Sequence, residues 1–150
     1  MKHKISHLIV FALITCIMCT ILVPAFATDD SDDGPSTRAS LYINAARAYV
    51  DAGSSTGSLK VYFSITSRGK MSSIGATKIQ IYNTSGTCVK TFNANSTNGM
   101  LGSDRYSYSN SVTYTGAKSG DYYYAVVTFK ASDSSGGDSC TYVTASAAAK

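Results

Sequence analysis

Tyr114 to Ala131 reads YTGAKSGDYYYAVVTFKA, and the fold of the chain turns on how the second half of that stretch is read. From Tyr123 every second residue is apolar or aromatic, namely Tyr123, Ala125, Val127, Phe129 and Ala131, while Thr128 and Lys130 fall on the alternate set. A period of two marks a strand with one buried face, because successive side chains of an extended chain point to opposite sides. A helix would need a period of about 3.6. β-Branched and aromatic residues also fit a pleated surface better than a helix. Gly116 and Gly120 supply the tight corner before the strand.

That corner, Gly-Asp-Tyr-Tyr-Tyr-Ala at 120–125, resembles the one before strand F of immunoglobulin-like sandwiches, where a tyrosine hydroxyl bonds back to the backbone. Two features depart from the pattern. No Cys stands two residues after Tyr122 or Tyr123, and the chain has no Trp. An antibody-type domain is therefore excluded, and the sandwich architecture remains.

Working outward, Leu59, Val61, Phe63 and Ile65 alternate with Lys60, Tyr62, Ser64 and Thr66 in a second half-buried strand, which Ser67 to Lys70 is expected to turn. Before it, the apolar parity of residues 39–52 shifts from Leu41 and Ile43 to Ala46, Tyr49 and Val50. A strand with a bulge near Asn44 fits that shift, with a short helix over Ala45 to Val50 as the alternative. Met71 to Gly75 reads as a crossover whose Met71 and Ile74 plug the end of the core. Lys78 to Asn83 is a strand with Ile79 and Ile81 inward. Asn83 to Gly86 makes a hairpin turn, and Thr87 to Phe92 pairs back with Phe92 and either Val89 or Cys88 facing the core. Asn93 to Arg105 reads as a polar loop, Tyr106 to Tyr114 as a strand, and Ser139 to Ala145 as the last strand. Seven to eight strands at regular spacing, with no segment suited to a βαβ unit, predict an all-β, immunoglobulin-like antiparallel β-sandwich.

At the other end of the chain, Lys2 and Lys4 precede an uncharged run from Leu8 to Val23, and Ala25-Phe26-Ala27 offers a small-x-small cleavage site. Residues 1–27 read as a cleaved signal peptide. A membrane anchor is the weaker reading, because the run ends at Pro24, short of the roughly 20 residues needed to span a bilayer. Residues 28–38 follow as an acidic flexible linker. Its four aspartates lack the glycine turn and terminal Glu of a calcium loop. The sandwich domain is assigned to 39–147, and no stable membrane span is expected after cleavage.

Cleavage after Ala27 also changes the chemistry available. His3, His7, Cys16 and Cys19 leave with the signal, and every acid of the chain is Asp. A Ser-His-Asp triad and a histidine-based zinc site cannot be built from what remains. Two aspartates could serve a glycosidase, and Asp104 and Asp121 are candidates only in the sense that both flank loops. Each reads as a turn residue, so the chain is expected not to be an enzyme, with no catalytic residue, metal or cofactor. Cys88 and Cys140 remain, and in an exported chain one disulfide between them is the expectation. Two free thiols behaving as small hydrophobes are the alternative.

Eleven tyrosines invite a binding role, since aromatic faces stack on ligands, although Tyr is also a favoured strand residue. Tyr62, Tyr82, Tyr106, Tyr122 and Tyr124 are assigned to outward faces, as are Lys60 and Lys130, and of these Tyr62, Tyr122, Tyr124, Lys60 and Lys130 are the candidate binding residues. Lys60, Lys78, Lys90 and Lys130 occupy the polar parity of their strands, which predicts one basic, tyrosine-bearing sheet face. Eleven basic residues against nine aspartates leave residues 28–150 at a net charge of +2. Anionic cell-wall polymer, a glycan or an extracellular protein is the expected partner, and nucleic acid is not.

The signal peptide, SIGATKIQIYNTSG at 73–86 and GDYYYAVVTFKA at 120–131 together resemble small uncharacterised secreted β-sandwich proteins of Gram-positive bacteria. The resemblance implies a fold and an export route to the cell exterior or the wall, and it transfers no site residues. A non-catalytic extracellular binding protein is the first functional expectation. A small secreted effector, bacteriocin-like or toxic to other cells, is the second.

Overall fold

The computed structural model describes Ser40 to Lys150. The segments expected to be a signal peptide, 1–27, and an acidic linker, 28–38, lie outside the described residues. What is described is all-β, with two antiparallel sheets. The long strands are β1 (Ile43–Ala52), β2 (Leu59–Met71), β3 (Ser73–Asn83), β4 (Cys88–Asn93), β6 (Arg105–Tyr114), β7 (Tyr122–Asp133) and β8 (Gly136–Val143). Two short ones, β5 (Leu101–Gly102) and β9 (Ala147–Ala148), complete the described set.

One sheet runs β1-β2-β6 and the other β4-β3-β7-β8, with β5 attached to β3 and β9 to β7. Alternation dictates how they face each other. Leu59, Val61, Phe63 and Ile65 of β2 and Ala125, Val127, Phe129 and Ala131 of β7 are all buried and share one core. The Phe63 and Phe129 rings meet edge-on across it at 6.4 Å. Fully burying a Val, Leu, Ile or Phe side chain contributes about 1.5–3 kcal/mol, so these rows drive the sandwich-like pairing of the sheets.

Several boundaries differ from the sequence expectation. The segment Ser67 to Lys70 does not turn: β2 runs on to Met71, and Ser72 alone separates it from β3. Met71 and Ile74 are buried, as a plug at the end of the core should be. Residues 45–50 form strand, with the register shift between Ile43 and Ala45 marking the bulge at Asn44. The polar loop 93–105 hides Met100, fully buried, and folds its Leu101 onto β3 opposite Gly75. Gly75 is required there: at φ +150° a Cβ would meet the Met100 carbonyl, which accepts from Ala76 N–H at 2.9 Å.

Tyr123 is buried, and its hydroxyl accepts the Lys118 N–H at 3.0 Å, tying the corner to the strand it precedes. At the far end of the chain, Thr144 breaks β8 from β9. Its buried hydroxyl takes the Ala125 N–H at 2.9 Å that no strand partner reaches. β9 then pairs with Tyr122 and Tyr123, Ala149 is buried, and Lys150 exchanges backbone bonds with Gly57 and Ser58. The ordered body thus reaches beyond residue 147.

Candidate functional site

The candidate residues divide between the two outer faces of the sheets. On the β1-β2-β6 sheet, Lys60 and Tyr62 alternate with buried Leu59, Val61 and Phe63 and therefore point outward. Tyr62 is paired across the ladder with Tyr49, and the rings stack at 4.7 Å and 15°. Lys60 Nζ lies 4.9 Å from the Tyr62 ring centre, within cation–π range, and Asp51 is its cross-strand neighbour on β1. Arg47 stands on the same parity as Tyr49.

Tyr122, Tyr124 and Lys130 belong to the opposite side of the molecule. On β7 they alternate with buried Tyr123, Ala125, Val127 and Phe129, so they project from the outer face of the β4-β3-β7-β8 sheet. Tyr124 is paired with Tyr82 of β3, their rings stacked at 5.3 Å and 12°. Tyr122 is 55% exposed beside that pair. Val126 and Val143, cross-strand neighbours on β7 and β8, extend the apolar strip. Lys78 is opposite Thr128, two residues from Lys130.

The single basic face is therefore not formed. Lys60 sits on one sheet, with Lys78 and Lys130 on the other. Lys90 leaves the set altogether: a bulge places Cys88 opposite Tyr82 and Lys90 opposite inward-facing Ile81. Lys90 Nζ then lies 5.3 Å from the Phe92 ring centre at the edge of the core. The same bulge settles the hairpin's orientation, with Val89 and Phe92 against the core and Cys88 exposed.

The expected Cys88–Cys140 disulfide is likewise absent, and both residues are free cysteines. They occupy β4 and β8, on opposite flanks of one sheet with β3 and β7 between. Cys88 is level with Tyr124 and Cys140 with Phe129. Strand spacing and rise then separate them by about 20 Å, against the roughly 7 Å limit between Cα atoms of a bridge. Burial, then the Asp138 carboxylate, pushes the Cys140 thiol up.

Asp104 and Asp121 stand at opposite ends of the molecule. Asp104 immediately precedes β6, where it pairs with Lys70 at 2.8 Å, and Asp121 lies in the corner after β6, within 3.6 Å of Lys118. The ten-residue strand between them spans about 30 Å, far beyond the carboxylate separations of glycoside hydrolysis. Asp138 has a structural part: its Oδ2 accepts from Ser40 Oγ at 2.5 Å and Tyr42 N–H at 3.1 Å. Those bonds, the Ser40 hydroxyl first, hold its carboxyl below the ordinary range.

Tyr49, Val126 and Val143 were not among the sequence candidates. Tyr49 was hidden by the parity shift at Asn44, and the valines read as ordinary strand residues until the register showed them side by side. Comparisons of the chain with family models, with curated proteins and with solved structures found no match.

Proposed function

We propose that the protein is a non-catalytic binding module that acts outside the cell, with anionic cell-wall polymer, a glycan or an extracellular protein as its partner. The observation carrying this reading is the pair of cross-strand tyrosine stacks, Tyr49–Tyr62 and Tyr82–Tyr124, each on an outward face that also bears lysine. Two rings locked against each other present a contact surface whose ordering cost is already met in the free protein. The uncharged run and small-x-small site at the N-terminus support export along the route that the resembling Gram-positive proteins suggest.

An immunoglobulin-like topology belongs to the same reading. Taking β1, β2, β3, β6, β7 and β8 as strands A, B, C, E, F and G puts A, B and E in one sheet and C, F and G in the other. The Tyr123 hydroxyl supports it by bonding back five residues, as the tyrosine corner before strand F does.

Sedimentation of the purified protein with cell-wall material, at low and high salt, tests the function. Retention that weakens as salt rises is expected. Absence of retention on wall, glycan and protein surfaces alike, together with inhibition of neighbouring bacteria in a growth assay, would overturn it in favour of a secreted effector.

A further inference from the structure

We infer that the outer face of the β4-β3-β7-β8 sheet is a linear track for a carboxylate-bearing polysaccharide, an inference that rests on the binding-module reading and names its site and ligand class. Charge separates this face from the other. On β1-β2-β6 the cation of Lys60 is committed to the Tyr62 ring and Asp51 lies across the ladder from it. On the larger sheet Lys78 and Lys130 project with no acid among Lys78–Tyr82 of β3, Tyr122–Lys130 of β7 or Ser139–Val143 of β8. Asp133 and Asp138 border Lys130 at the end of the sheet, with their carboxylates hydrogen-bonded to the Ser135 and Gly136 N–H groups and to Ser40 and Tyr42 respectively. The opposite face mixes Lys60 and Arg47 with Asp51. A polyanion therefore meets an acid-free outer row around Lys78 that leads to Lys130.

The apolar and cationic parts of the face are also set apart. Tyr122, Tyr124 and its stacked partner Tyr82 occupy one end, and Lys130 lies six residues farther along β7. At the rise of an extended strand that is about 20 Å, with Lys78 at about 13 Å. A ligand satisfying both ends must be elongated and must carry apolar C–H faces as well as negative charge. A uronic-acid polymer has both in every unit. A polymer of phosphate and small polyol offers the charge without the ring faces. Lysine suits this role, being a mobile point charge that follows a carboxylate along a chain without a fixed bidentate geometry.

Affinity electrophoresis and calorimetry of the full chain with polygalacturonate, its methyl-esterified neutral form and its dimer test the track. The wild type is expected to bind polygalacturonate, and binding should weaken with salt and fall for the esterified polymer and the dimer. Tyr122→Ala, at an exposed site, and the pair Lys78→Ala with Lys130→Ala should each weaken binding by about three- to tenfold. Arg68→Ala, at an exposed position of β2 in the other sheet, should leave it within about twofold. Melting curves check that each variant is folded. Equal binding of the esterified polymer, or loss with Arg68→Ala and none with the Lys78 and Lys130 pair, would overturn the track. So would a wild type that ignores polygalacturonate; if that same protein still sediments with wall material, the track alone fails and the module stands.

Discussion

Cys88 and Cys140 show how two residues of one type acquire different chemistry at the opposite flanks of one sheet. Cys88 is exposed on β4, while Cys140 leans on the core with its thiol pushed up by burial and by Asp138. A thiol reacts as its thiolate. At neutral pH an alkylating reagent should therefore modify Cys88 faster than the half-buried Cys140 in the native protein; equal rates, read by mass, would contradict the assignment. Asp138 carries the second prediction at this scale. Its carboxyl is held below the ordinary value, so its contribution to stability is complete above about pH 4 and is lost as pH falls through the lower native value. The melting-temperature gap between wild type and Asp138→Asn should thus be present at pH 6 and close in strong acid. A gap of the same size at both would show that the Ser40–Asp138 contact is not what the charge supports.

Among the elements, β3 depends on one position. Gly75 admits β5 against the strand, in a conformation and at a distance that leave no room for a side chain. Gly75→Ala should cost about 1–3 kcal/mol from the backbone conformation alone, before the clash with Met100 is counted. Denaturant unfolding measures it, and a change under about 0.5 kcal/mol would mean that β5 yields without loss. Nothing in the local sequence announced this, because Met71 to Gly75 has no period and β5 pairs through residues distant in the chain. What was legible followed a clean alternation: β2 through Thr66, β7, the bulge at Asn44, and the buried Tyr123. What was not legible followed register. The bulge between β3 and β4 removed Lys90 from the outer face, and sheet order separated Lys60 from Lys130, although parity alone makes all of them outward. Parity gives the side of a strand, and only pairing gives the side of the molecule.

At the scale of the whole molecule, the core between the two sheets holds the described body together, with no disulfide among the described residues. Reducing agent should accordingly leave the melting temperature unchanged, and intact mass should show two full thiols for Cys88 and Cys140; a shift on reduction would restore the bridge. The outer faces lie on opposite sides of that core, so the stability effects of Tyr62→Ala and Tyr124→Ala should add within about 0.5 kcal/mol. The backbone exchange between Lys150 and the turn at Gly57 and Ser58 has a consequence for the order of assembly. Closing it brings together residues from nearly the two ends of the described body, a loop whose entropy must be spent before its bonds repay it. Pairings of such sequence separation form late and fold slowly. Of the described residues 147–150 are synthesised last, so the edge of β7 that they cover stays unpaired until the rest of the described body has been made.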